Sequence, residues 1–324
     1  MITVDTNPEF GIELVLTLPY VYWLHENNQL EKVITSKGMK PFYYFCDNVE
    51  ERYDYRTIDN EQAGLNSLPN PWIYGNKDNS KLYKEEWPLW EDFMCKEKGC
   101  GILDYRKWKI PNFTDRYRND DFVSEKPMVV VSNRYNWEHG TKPVGYFDVN
   151  CLYKMFNYLT DIGYMVVYKR PKNTEFPIDQ NEAATLHYKE VLSGDVGDYG
   201  VITDYELTTY YDDVILFDDI VNSNPELTYN EVQLGLFANV DKFISMSGGS
   251  TLLLNLFQKK TITYLYNPSD LRENFWVSKN GDKNIKNYYY MMNPNVIPFI
   301  DKDCVDMGKK DYSRFLKVIK ENIK

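Results

Sequence analysis

Short β-branched runs alternate with helix-patterned stretches through the second half of the chain. This alternation limits the possible folds more than any other feature. PMVVVSN at 127–133 opens on an unbroken apolar run, as a strand buried on both faces does. DVNCLYKMFNYLTDIG at 148–163 has an acid near its start, a glycine at its end, and Leu152, Met155, Phe156 and Leu159 at helical spacing. YMVVYKRP at 164–171 reads as a strand ending in charge. A helix is expected around 180–193, the strand VILF at 214–217, and a helix around 228–239. The strand KFISMS, a helix from about 250 and the strand TITYLY at 261–266 follow. Such β/α alternation implies a parallel sheet with helices on both faces.

The first 46 residues repeat the theme. ITV at 2–4 is β-prone, and from Ile12 apolar positions 12, 15, 16, 20, 23 and 24 follow helical spacing. Leu14, Leu18 and Val21 lie on the other face, so this helix is expected to be buried on most sides. Pro19 falls inside it and should kink it. KVITS at 32–36 and PFYYFC at 41–46 read as further strands. Residues 47–125 are less regular, rich in turn formers, and helical around 84–96. KKDYSRFLKVIKENIK closes the sequence as an amphipathic helix.

A chain of 324 residues exceeds the size at which one core stops growing. The expectation is α/β: two facing Rossmann-like domains with a cleft between them. Residues 1–125 are expected to form an N-terminal α/β domain with long loops, and 126–308 a C-terminal Rossmann-like domain. Residues 309–324 form a helix expected to pack back on the N-terminal domain. In such sheets ligands bind beyond the carboxyl ends of the strands, and an interdomain cleft is the default site.

Composition narrows the partners. The net charge is −11 and no lysine or arginine cluster is dense, which disfavours nucleic acid and anionic membrane surfaces. No apolar run is long enough to span a bilayer, and no basic, then apolar, leader opens the chain. Five cysteines fit reduced thiols and a cytoplasmic setting. Cys95 and Cys100 lack the second Cys/His pair of a zinc site, and no metal is expected. The 28 tyrosines suit either core filling or platforms for sugars and bases; biased composition explains them equally well.

Several candidate residues fall at strand ends. Ser247, Gly248, Gly249, Ser250 and Thr251 follow one strand and open a helix. Glycines there admit a sharp turn and a close ligand, and the first helical amides are unpaired, which favours phosphate. A plain capping turn would look the same, and the P-loop spacing and lysine are missing. Ser132 and Arg134 lie at the end of VVVSN, and Lys169 and Arg170 at the end of the next strand. These cations are suited to a diphosphate, although at least one is expected to be plain surface charge. Phe217, Asp218 and Asp219 end VILF, where a base or ribose would rest. Glu13 opens the first helix, where a carboxylate is held in its charged, basic form or simply caps. Aspartate pairs at 120–121, 212–213 and 218–219 read as surface turns, and His25, His139 and His187 stand in no nucleophile motif.

Two stretches resemble the bacterial heptosyltransferases and, more widely, the GT-B glycosyltransferases. Gly11-Ile12-Glu13-Leu14-Val15-Leu16-Thr17-Leu18-Pro19 resembles the family's first turn and helix, in which Gly-Asp precedes V-L-H-T-L-P. Here Glu replaces Asp and Ile12 is inserted before it. SGGSTLL, TITYLY and Asn267-Pro268-Ser269-Asp270 resemble the donor-phosphate turn, strand and following turn, without that motif's Asp and His. The resemblance implies a glycosyltransferase that moves a sugar from a nucleotide-diphosphate sugar to a glycan or other hydroxyl acceptor. It implies Glu13 as base and the 247–251 turn at the donor phosphates; with the strand-end residues Ser132, Arg134, Lys169, Phe217 and Asp219 also around the donor, in-line attack with inversion and no metal or other cofactor is expected. Alternatives are a polysaccharide pyruvyl transferase, a sugar-nucleotide epimerase, or a non-catalytic nucleotide- or glycan-binding module.

Overall fold

The computed structural model describes residues 1–8, 10–54, 56, 109–135, 145–170, 191–265, 292–300 and 312–324. The helices expected at 84–96 and 180–193, together with Cys95, Cys100, His139, His187 and the 267–270 turn, lie wholly or mostly outside them. The described residues fall into two compact units: the first holds those of Met1–Asn112 with 292–294, the second the remainder.

The first unit contains a three-stranded parallel sheet in the order β1-β2-β3, with β1 Ile2–Asp5, β2 Leu30–Ser36 and β3 Val49–Tyr53. A continuous helical stretch joins β1 to β2: α1 (Phe10–Ile12), a π-helical turn (Glu13–Thr17) and α2 (Leu18–Glu26). Pro19 has no amide to donate, and its ring crowds the carbonyl four residues back. A wide turn lies just ahead of it, where the sequence implies only a kink. The expected strand at 41–46 is absent. Lys40–Tyr43 form a 3-10 turn instead, with Pro41 in its first turn, where a fixed φ suits a helix start.

The second unit carries a six-stranded sheet in the order β11-β10-β9-β4-β5-β8, and every neighbouring pair is parallel. The strands are β4 Met128–Ser132, β5 Met165–Lys169, β8 Val214–Leu216, β9 Lys242–Met246, β10 Lys260–Leu265 and β11 Val296–Ile300. A short antiparallel hairpin, β6 Ser193–Asp195 and β7 Val201–Thr203, is added to the pattern. The helices are α3 Phe113–Tyr117, α4 Val149–Asp161, α5 Asp204–Thr208, α6 Phe217–Asn222, α7 Tyr229–Asn239, α8 Gly249–Asn255 and α9 Ser313–Asn322.

Local sequence accounts for the helix ends. The Asp148 side chain accepts from the Cys151 amide at 2.7 Å and starts α4, and Gly163, with φ 89°, follows its end. Thr228 and Glu231 form a capping box at the start of α7. Aromatics fill much of the core. Phe315 of α9 stacks on Phe147 at 5.3 Å and meets Tyr264 and Phe299 at 5.2 and 5.4 Å. Helix α9 packs on the sheet of its own unit, where its buried aromatic face completes that core.

Candidate functional site

Strand order reverses at β4 in the second unit: β5 and β8 lie to one side, β9, β10 and β11 to the other. This is the Rossmann order, and its ligand crevice opens at the carboxyl ends of β4 and β9. Ser132, Arg134 and the 247–250 turn lie at these two strand ends. Gly248 takes φ 145° and ψ −171°, a conformation essentially reserved for glycine. A Cβ built on it would stand 2.8 Å from Arg134 Nη1. Arg134, arriving from the end of β4, thus lies directly over the glycine turn, with Nε donating to the Gly145 carbonyl at 3.1 Å.

The turn offers donors. Among the described residues the amides of Gly248, Gly249 and Ser250 make no hydrogen bond, and all three residues are half-buried. The Ser132 and Ser247 hydroxyls are buried and unpartnered among those residues. A buried hydroxyl without a partner is unfavourable in a finished core and suits a site that a ligand completes. The hydroxyl of Thr251 differs: it donates to the Met246 carbonyl at 2.8 Å and contacts Ser245 Oγ at 2.9 Å, so it fastens α8 to β9. Helix α8 is seven residues long, so its dipole is short, and the cradle rests on amides, hydroxyls and Arg134.

Neither cation at the end of β5 is surface charge. Lys169 and Arg170 are each only 4% exposed, and the expectation of plain surface charge fails for both. The Lys169 amine lies 5.5 Å from the Phe217 ring centroid and 5.6 Å from that of Tyr229. It makes no hydrogen bond among the described residues. Phe217 is buried at the start of α6 beside it, while Asp219 points to solvent one turn-face away. Asp218, not Asp219, is the carboxylate that acts on the amine.

Burial holds the Lys169 amine down at about 8, with the Asp218 charge pushing back up. That lies below the ~10.4 of an unfolded lysine, so the protonated amine opposes folding. The penalty is full below about pH 8 and fades as pH rises to the unfolded value. Lys169→Met is therefore expected to stabilise the ligand-free protein by about 1–3 kcal/mol at pH 7. The gain should be clearly smaller at pH 10. Denaturant unfolding at both pH values checks this; an equal gain at each would remove the amine as its source.

In the first unit Glu13 opens the π-helical turn and is fully enclosed. Its Oε1 accepts from Thr35 Oγ1 at 2.5 Å and Tyr43 OH at 2.8 Å, and its Oε2 accepts from Arg56 Nη1. Both side chains of the Arg56–Glu13 pair have 0% exposure. Arg56 Nη1 also donates to the Pro8 carbonyl at 2.9 Å, and the guanidinium lies 5.4 Å over the Phe10 ring. Burial, then the Glu13 charge, raises the Tyr43 hydroxyl well above its ordinary pKa, so it stays a donor. Glu13 is thus neither a simple cap nor an open carboxylate.

No protein-family profile matches this chain, and no curated protein sequence does. Two solved structures from E. coli match nearly all of it. The ADP-heptose LPS heptosyltransferase II shares 10% identity at a TM-score of 0.52, over 98% of this chain and 97% of its own. Heptosyltransferase WaaC with ADP shares 12% at 0.53, over 99% of this chain and 97% of its own. The chain has the heptosyltransferase fold. At such identities the likeness concerns the fold, and the chemistry has to be argued from the residues.

Within this heptosyltransferase fold one cluster escaped the sequence reading. Asp204, at the start of α5, takes two hydrogen bonds from Arg170, at 2.5 and 3.0 Å, and one from Tyr168 at 2.7 Å. Tyr168 OH in turn accepts from Asn133 Nδ2 at 3.1 Å. Asn133 Oδ1 accepts from the Arg134 and Phe147 amides at 2.9 and 2.8 Å. A buried chain of polar groups thus runs from Arg170 to the backbone of Arg134 and fixes where that side chain starts. Among the described residues, no three His, Cys, Asp or Glu side chains are grouped to hold a metal. No described helix is long and apolar enough to cross a membrane.

Proposed function

We propose that the protein is a glycosyltransferase that uses a nucleotide-diphosphate sugar. The observation that carries this reading is the arrangement at the end of β4 and β9: open amides at Gly248–Ser250, buried unpartnered hydroxyls of Ser132 and Ser247, and Arg134 lying over the glycine turn. Unpartnered donors at these two strand ends, with a guanidinium against the glycine turn, suit a diphosphate. The fold supports the reading, and one of the neighbours was solved with ADP.

The donor's diphosphate lies on residues 247–250. As the acceptor hydroxyl attacks the anomeric carbon, the bond to the diphosphate oxygen breaks, and the leaving group's charge grows next to the amides and Arg134. In-line attack inverts the anomeric centre, and the mechanism invokes no metal. Glu13 is the proposed base for the hydroxyl proton, and opening of its contact with Arg56 is the prerequisite.

A thermal-shift panel of UDP, GDP, ADP and CMP with their sugars tests the donor site. At least one nucleoside diphosphate is expected to raise the melting temperature, and Arg134→Ala is expected to diminish that rise. A flat panel, or an undiminished shift in the variant, would overturn the assignment. The pyruvyl transferase and epimerase alternatives separate from it by product analysis.

A further inference from the structure

The diphosphate cradle leaves Lys169 unused, and that residue is built into the same edge of the sheet. Ser132 pairs in register with Ser245 on one side and Lys169 on the other, so all three project to one face. The carboxyl ends of β9, β4 and β5 follow one another at about 4.8 Å per strand, which sets β5 about 10 Å from the glycine turn. A nucleoside diphosphate anchored by its phosphates on that turn reaches this distance with its base.

The Lys169 amine there has three donors and no acceptor. Phe217 and Tyr229 enclose it, no hydrogen bond satisfies it among the described residues, and Asp218 supplies only a nearby charge. An enclosed donor of this kind is satisfied by an acceptor atom and penalised by another donor. Guanine O6 and uracil O4 are acceptors, whereas adenine presents its N6 amino group at the corresponding edge.

We propose that Lys169 reads the base of the donor nucleotide and selects a base with a ring carbonyl, uracil or guanine, over adenine. This rests on the donor site proposed above. A site built to hydrogen-bond a ligand rejects an analogue lacking the partner strongly, because its own buried group is left unpaired.

Isothermal titration of UDP, GDP and ADP into the full-length protein tests it, alongside Lys169→Met and Arg134→Ala. In the parent, UDP or GDP is expected to bind at least about tenfold tighter than ADP. Lys169→Met should bring that ratio close to one, chiefly by weakening the preferred nucleotide. Arg134→Ala should weaken all three alike and keep the ratio. Melting curves establish that each variant is folded. Equal affinity for ADP in the parent, or an unchanged ratio in Lys169→Met, overturns the base-reading role while the donor site stands. Failure of all three nucleotides to bind the parent removes the donor site and the base-reading role together.

Discussion

Glu13→Gln is expected to destabilise the first unit by about 3–5 kcal/mol, the usual loss when one partner of a buried ion pair is removed. The amide oxygen can still accept from Thr35 and Tyr43, as Oε1 does. The amide nitrogen, however, would face Arg56 Nη1, donor against donor, in a place with no water to intervene. Arg56 already has Nε and Nη2 buried without acceptors among the described residues, so it has little to fall back on. Removing both charges should be far milder, since a buried pair replaced by apolar or neutral groups is often close to neutral. Glu13→Gln combined with Arg56→Met is therefore expected to recover most of the lost stability in urea unfolding. Sugar transfer should be lost in the single and the double variant, with nucleotide binding kept in both. A double variant that regains transfer together with stability would make Glu13 a strut and nothing more.

The second large effect is expected at Gly248→Ala. With φ at 145° the new side chain is strained before any contact, by about 1–3 kcal/mol. Its Cβ would also sit 2.8 Å from Arg134 Nη1, so the guanidinium must move off the turn. The displaced group is the end of a flexible side chain, and the protein should remain folded. What fails is the pairing of turn and cation. Nucleoside diphosphate affinity is expected to fall about 100-fold, equivalent to about 2.7 kcal/mol. Titration of the best-binding nucleotide checks this, and parent-like affinity would remove the glycine turn from the donor site.

The sequence exposed the parts of this molecule that rest on local pattern. The apolar runs at 128–132, 165–169 and 242–246 became central parallel strands because nothing but a doubly covered sheet buries them. Ser132, Arg134, Lys169 and the 247–251 turn stand at the strand ends at which their sequence positions put them, where such sheets bind ligands. Edge elements were harder to see. β11 contains Pro298, which a central strand excludes but an edge strand tolerates, and β6 and β7 are too short to alternate. PFYYFC imitated a strand by aromatic content, while Pro41 favoured a helical turn.

Long-range polar partners left no local trace. Asp204 looks like an ordinary helix-start acid until Arg170 and Tyr168, more than thirty residues away, close on it. Arg56 lies 43 residues from Glu13, in a stretch without periodicity, so the enclosure of that carboxylate could not be read from its surroundings.

Within the π-helical turn at Glu13–Thr17 each hydrogen-bonded loop holds one residue more than in an α-helix. Inserted near the start of the helix, this wide turn shifts the helical phase once, so Glu13 and Leu14 at its start and Leu18, Val21 and Leu24 beyond it are all buried in one continuous helical stretch.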